Sequence, residues 1–321
     1  EVWRRATQLG DIGGAATLTL IQLAALALLV AWSAHQQRRH THRFVSARDD
    51  ARRRPVGRER LGVLAAVTVS GVIVVAPLVA LVERSLRFEG GYSLTAWRSL
   101  GNSEIRPGLR LGVDPLGALE RSAITAVWAT LFALLIGGAA VVAISALGRS
   151  GRVLDAGLML PLGTSAVTIG FGILITFDTP PVDWRAEWWL VPVGHALVAA
   201  PFVVRTSLVA VRTIPADQSA AAATLGASPI RAWTHTSLPV LRRPLAAAAG
   251  LAAAISLGEF GATSFLSRSG GETLPIAIER LLGRTGRIFQ AQAFALSTIL
   301  AAATVLIVML VDRGGDHARG S

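Results

Sequence analysis

The chain has 321 residues, 52% of them hydrophobic, and a mean hydropathy of +0.53, an average that a soluble domain with a polar exterior rarely reaches. With no cysteine there is no disulfide and no thiolate metal site, and with no lysine (all 31 basic residues are arginine) there is no phosphate-cradling Gly-x-x-x-x-Gly-Lys loop, so ATP hydrolysis by that route is excluded. The net charge of +11 invites a nucleic-acid reading, but the arginines concentrate in one stretch that lacks the series of interleaved aromatics base stacking needs.

A helix that crosses a membrane takes about 20 mostly apolar residues. Seven segments meet that length, at 13–34, 62–82, 122–147, 153–177, 188–211, 244–266 and 288–311. The expected fold is therefore all-α, a polytopic transmembrane helical bundle. The first segment is no signal peptide, since no cleavage site follows it. Residues 35–60 carry nine Arg against two Asp and one Glu, and the positive-inside rule makes them a basic cytoplasmic linker. The histidines of HQQRRHTH sit among arginines that repel a metal ion, so that run reads as a charged face.

Alternation then places 148–152, 212–243 and the C-terminus inside. The short loops agree in charge: Arg149 and Arg152 in one, and Arg212, Arg231, Arg242 and Arg243 against Asp217 in the other. Outside falls 178–187, with Asp178, Asp183 and Glu187 against Arg185. The 83–121 stretch also falls outside, and its Gly and Pro content predicts an extracytoplasmic loop with a short interfacial helix.

Residues 1–24 and 275–300 share a pattern: an apolar pair, an Arg-bearing amphipathic turn, a Gly, a charged residue followed by Ile, then a span. Asp11-Ile12 aligns with Arg287-Ile288 across a two-residue gap. Two unrelated amphipathic entries into membrane helices would look the same. If the pattern is a repeat, 1–34 is the last helix unit of a preceding half, packed peripherally, and 35–60 is a linker. A six-span unit over 61–312 and a tail at 313–321 follow, and the absence of an initiator Met fits such a chain.

Within 153–177, the stretch LPLGTSAVTIGFG interrupts helix propensity at Pro161, Gly163, Gly170 and Gly172. Irregular backbone at membrane depth is tolerated where it is buried in protein or lines a cavity, so Pro161 and Gly163 are candidates for a translocation pathway, with ordinary close packing as the alternative. In 188–211, Trp188 and Trp189 suit an interfacial aromatic belt and Arg205 can snorkel. His195 has no second His nearby and reads as a core histidine.

The 217–243 stretch, DQSAAAATLGASPIRAWTHTSLPVLRR, has an Ala-rich front that favours helix, Gly226 where that helix can end or bend, and Pro229 for the first turn of a second helix. Leu238-Pro239 is expected to close the unit before the next span. At these residues the sequence resembles the binding-protein-dependent inner-membrane components, the permeases of ATP-driven importers. Their signature is Glu-Ala-Ala, three residues, Gly, nine residues, Ile, one residue, Leu-Pro. Ala221, Ala222, Gly226, Leu238 and Pro239 match it, while Ala220 stands in the Glu position and Thr236 in the Ile position.

That resemblance, over 60–312, implies a type I ABC-importer permease architecture in which the 214–239 loop docks on a separate ABC ATPase subunit, itself a dimer. It also implies an extracytoplasmic substrate-binding protein, a first permease half or second permease copy, surrounding membrane lipid, no cofactor and no enzyme activity of the chain's own. Small residues at 137–138 and 245–256 suit helices that slide during alternating access. An ion-coupled secondary transporter is the competing reading, and it needs membrane-embedded acids. Glu259, in GEFGATSFL at 258–266, is the acid expected inside a span or close to its outer end, where it borders the pathway, pairs with Arg268 or Arg280, or is simply exposed at the interface. This stretch and ETLPIAIERLLGR at 272–284 resemble the thiamine and iron(III) branch of the family, whose members are often fusions of two halves.

Overall fold

The computed structural model describes residues 2, 4–39, 56–101, 104–106, 109–110, 114–147, 149–179, 182–184, 187–215, 218, 221–222, 224–268 and 270–316. Twelve α-helices are named in the account below: α1 (Ile12–Arg39), α2 (Arg58–Leu86), α3 (Thr95–Arg98), α4 (Pro115–Ala146), α5 (Arg149–Leu158), α6 (Leu160–Gly163), α7 (Ala166–Phe177), α8 (Leu190–Val211), α9 (Pro229–Gly258), α10 (Thr263–Leu266), α11 (Leu274–Leu282) and α12 (Arg287–Asp316). Six of them, α1, α2, α4, α8, α9 and α12, are long and apolar enough to cross a membrane. The chain is thus an all-α polytopic bundle. Strands are confined to two-residue and three-residue hairpins, such as Arg87–Phe88 with Gly91–Tyr92 and Asp178–Thr179 with Val182–Asp183.

Two expected spans take a different form. The 153–177 segment is no single rod: the pieces 150–163 and 166–177 are bent by 106°. Pro161 lies in the opening turn of α6 as its N2 residue, and Thr164 leaves the helix in an extended conformation. The 244–266 segment belongs to α9, which starts much earlier, at Pro229, and ends at Gly258. Leu238-Pro239 therefore closes nothing, because α9 continues through both Pro239 and Pro244. A proline removes one ladder bond and kinks a helix, and neighbouring helices compensate in an apolar bundle.

Elsewhere the expectations shift by a turn or two. Asp114 caps α4 by accepting from Gly117 N (3.0 Å) ahead of Pro115, so that helix starts seven residues before the apolar run. Within 83–121 the short helix is α3, followed by a 3₁₀ turn at Ser99–Gly101. Of the basic linker, 40–55 lie outside the described residues, as do 317–321 of the tail, whose first four residues continue α12.

The centre is α4, α8 and α9, in contact through alanine. Ala133, Ala196, Ala199, Ala248 and Ala252 are fully buried together with Val203, and small side chains allow the close approach that membrane helices depend on. A second cluster at one end joins α11 and α12 to α3 and α4 through Ala96, Leu100, Ala118, Leu274, Leu281 and Leu296. Polar ties reinforce it. Gln292 donates to Ser99 O (3.1 Å), and Leu274 N donates to Ser122 Oγ (2.6 Å). Arg121 Nε donates to Glu272 O (3.0 Å), and Arg280 binds the buried Glu272 carboxylate.

Helix α1 is not peripheral along its whole length. Ala15 is fully buried with Phe171 and Phe265, Thr168 Oγ1 donates to Gln22 Oε1 (3.2 Å), and Leu26 fills the space a side chain at Gly163 would occupy.

Candidate functional site

The connection between α8 and α9 is built from two caps. The last turn of α8 tightens, with Thr213 N donating to Ala210 O and Ile214 N to Val211 O (both 3.1 Å). Ala221, Ala222 and Thr224 are helical again. There Leu225 N donates to Ala221 O (3.2 Å) and Ala227 N reaches five residues back to Ala222 O (3.0 Å), while Gly226 sits at φ +78. This is a Schellman cap, in which a left-handed residue lets the following N–H close on the carbonyl of the last full turn.

The cap accounts for the spacing from Ala222 to Gly226, since the accepting carbonyl and the left-handed residue must be four apart. Small residues before the cap keep it compact, and the lack of a Cβ at Gly226 removes the cost of its φ. Ser228 then caps α9, accepting from Arg231 N (3.4 Å), with Pro229 at N1. Beside the Gly226 cap Leu225 stands 88% exposed.

The structure thus brings Ala221, Ala222 and Gly226 into one cap. Leu238 and Pro239 lie apart from it, in the third turn of α9, and the Thr236 hydroxyl there donates back to Ala232 O (2.7 Å). Trp233, near the start of α9, borders a cleft of about 700 Å³ between α4, α8 and α9, together with Leu134, Val142, Ser207, Val211 and Leu241.

At the other end of α9, Glu259 does not meet an arginine. Its Oε1 accepts from Ala262 N (2.9 Å), and Arg280 is taken by Glu272. The four residues 259–262 form a break between α9 and α10. This break abuts α7 backbone to backbone: a Cβ at Gly170 would lie 2.6 Å from Ala262 Cα, and one at Gly261 would lie 2.8 Å from Val167 N. Pro161 and Gly163 sit in α6 on the far side of the bend, against α1, so the two irregular segments meet at Gly170 and not at Pro161 or Gly163. Arg205 is held by Asp155 (3.8 Å) and Met159 Sδ (3.0 Å).

Sequence reasoning missed what His195 joins. It is 1% exposed, its Nδ1 lies 2.8 Å from Ser256 Oγ on α9, and its Nε2 lies 2.6 Å from Thr263 Oγ1 on α10. The available signal was two hydroxyl residues seven apart, flanking the glycine-bounded Glu259. Aromatic packing of Trp184 with Phe177 (5.1 Å) and Trp189 (5.3 Å), and of Trp188 with Trp128 (5.2 Å), gathers tryptophans at this same end of α8, as an interfacial belt does. Among the described residues no three His, Asp or Glu side chains are grouped to hold a metal.

Comparison with known proteins bears on the whole of this half of the chain. The sequence model described as "Binding-protein-dependent transport system inner membrane component" matches residues 136–317. A protein of Salmonella typhimurium named as a 2-aminoethylphosphonate transport system permease, PhnV, is 34% identical over 58% of this chain and 69% of its own length. The PhnU permease named for the same transport system in Salmonella choleraesuis is 31% identical over 63% of this chain and 74% of its own. The molybdenum transport system permease ModB of Mycobacterium tuberculosis is 32% identical over 59% and 76%.

Proposed function

Because the chain belongs to the family of binding-protein-dependent transport system inner membrane components, we propose that it is the membrane-spanning permease subunit of an ATP-driven bacterial importer in the plasma membrane. Its 214–239 loop is the element a separate ATPase dimer pushes on. The observation that carries this reading is the doubly capped turn that presents Leu225 beyond the ends of α8 and α9. A knob stiffened by its own backbone hydrogen bonds and joined directly to the capped start of a long helix transmits displacement, whereas a solvated linker absorbs it. On this reading the turn and residues 35–60 face the cytoplasm, and the α3–α11 end faces an extracytoplasmic binding protein.

The pathway assignment rests on the break at Glu259. Its juxtaposition with the α7 backbone puts non-helical backbone where protein covers it. For Pro161 and Gly163 the Leu26 contact favours close packing over pathway lining. A preceding permease half is supported by a local likeness: Gly10 and Gly286, at the aligned positions, both have positive φ directly before a long helix.

For cargo, the names of the relatives described above favour a small oxyanion, a phosphonate or molybdate, over thiamine or iron(III). Uptake measured with the cognate binding protein and each of the four cargoes decides among them.

The test of the coupling role is a photo-crosslinking amino acid at Leu225, expressed with the ATPase subunit. Irradiation is expected to give a permease–ATPase adduct, with none from the same probe at Val72 on α2. Equal adducts at both positions, or none at 225 in an assembled complex, would refute it.

A further inference from the structure

Helices α8 and α9 make an antiparallel hairpin, turned at one end by Gly226. At its other end one side chain hydrogen-bonds both to α9 and to the segment that follows it. His195, five residues past the start of α8, reaches Ser256 on α9 with one ring nitrogen and Thr263 on α10 with the other. The donors fix the arrangement. Thr263 Oγ1 donates its one proton to Glu259 O (2.9 Å), so it accepts from His195 Nε2–H; a ring 1% exposed whose two partners are both hydroxyls is held neutral by the cost of burying its charge, and the bare Nδ1 then accepts from Ser256. A neutral imidazole with both nitrogens satisfied therefore spans the break between α9 and α10.

We propose that His195 is a positioning residue for transport: it clasps the far end of the α8–α9 hairpin to the 259–262 break, and this clasp opens and re-forms in each transport cycle. The proposal rests on the coupling role given to the 214–239 loop. Three observations support it. First, α9 continues from the Ser228 cap through Pro239 and Pro244 to Gly258, about 45 Å at 1.5 Å per residue, and its buried contact with α4 and α8 holds it beyond the two prolines, so a displacement delivered at the loop is carried to the break. Second, the break is held by side chains in place of a helical ladder: Glu259 Oε1 takes Ala262 N, and Thr263 takes Glu259 O. Such contacts can be exchanged without unwinding a helix.

Third, the tie is uncharged. The neighbouring Arg121–Glu272–Arg280 cluster would leave a buried carboxylate unpaired if it opened. Opening the His195 clasp strands only neutral groups, so of the two ties it is the one suited to repeated rupture.

The chain contains no cysteine, which permits a direct test. A Cβ at Gly194 would lie 3.9 Å from Ala262 Cβ, within the range of about 3.5–4.5 Å that a disulfide spans, once the end of the Leu266 side chain, which it would meet at 2.7 Å, turns aside. In the complex with its ATPase and binding protein, Gly194→Cys with Ala262→Cys is expected to lose uptake at least tenfold on oxidation and to regain it on reduction. Uptake that is the same in the oxidised and reduced forms overturns the proposal.

A second measurement guards against a merely structural effect. His195→Ala is expected to raise ATP hydrolysis without binding protein at least threefold while cargo moved per ATP falls, and His195→Asn, which keeps a donor and an acceptor, is expected to restore part of that ratio. Unchanged cargo per ATP in His195→Ala overturns the proposal as well. A Leu225 adduct obtained together with uptake indifferent to the disulfide would sink the clasp alone, whereas loss of the adduct would remove the coupling reading beneath it.

Discussion

Replacing Gly226 isolates the coupling turn from everything else in the bundle. A Cβ at this position meets nothing within 4 Å, so a substitution creates no clash and acts only through the backbone. At φ +78 an ordinary L-residue loses about 1–2 kcal/mol relative to glycine, and a β-branched residue falls toward the upper end of about 1–3 kcal/mol. Asn, which visits the left-handed region readily, loses less than Ala does. Since each 1.4 kcal/mol is a factor of ten, Gly226→Ala should depopulate the capped turn about 5- to 30-fold and Gly226→Val up to roughly 140-fold. Uptake in proteoliposomes with the ATPase and binding protein should follow the order Gly, Asn, Ala, Val. Membrane levels should stay constant, because no span depends on the turn. Equal uptake by the Asn and Val variants, at equal expression, would refute the argument that a left-handed residue sets the coupling geometry.

Two further outcomes follow from the packing. Burial alone raises the Glu272 carboxyl, but the Gly270 N–H and the Arg280 guanidinium outweigh it and hold the group below the usual carboxylate range; its stabilisation is therefore present above about pH 4.3 and lost as pH falls through the lower folded value. Glu272→Gln should cost about 1.5–3 kcal/mol at pH 7, read as a lower melting temperature in detergent, and should blunt the acid-induced loss seen in the parent; equal melting at pH 7 would contradict the buried ion-pair account. Ala252→Leu, at a fully buried contact, should cost about 1–3 kcal/mol by overpacking, while Val72→Leu on α2, where Val72 is 58% exposed, should leave melting unchanged; comparable losses in both would remove the distinction between core and rim.

Hydropathy located every membrane-length helix, because the length of an apolar run is a property of the sequence itself. It could not report direction. The 106° bend between 150–163 and 166–177 lies inside one uninterrupted apolar segment, and nothing in side-chain polarity distinguishes a straight rod from a folded one. Pro239 misled in the opposite sense. As a helix breaker it was expected to end the loop unit, yet α9 passes through it.

The Ala-Ala-x-x-x-Gly spacing was legible because a Schellman cap is local and depends on four consecutive peptide units. Leu238-Pro239, from the same signature, turned out to sit away from that cap. The partners of His195 were illegible for the converse reason. They lie 61 and 68 residues away, and only the folding back of α9 on α8 brings them together. Glu259 stands out in the sequence as an acid expected inside a span, but it lies in a break just beyond α9, and its role as a cap for Ala262 depends on that break, which no periodicity announces.

The contrast between the alanine seam of α4, α8 and α9 and the bare surface of α2 sets two different rules for sequence change. In the most apolar stretch of α2 no residue is buried inside the protein, so on the face turned away from α12 its sequence is asked only for oiliness. There Val, Ile and Leu can replace one another freely. At Ala133, Ala196, Ala199 and Ala252 the neighbour is another helix with no room to give, and even one added methyl must be matched across the contact. Over generations the hydrophobic identity of α2 should therefore drift while the seam stays fixed letter by letter, and a strongly hydrophobic helix would be among the least informative about kinship.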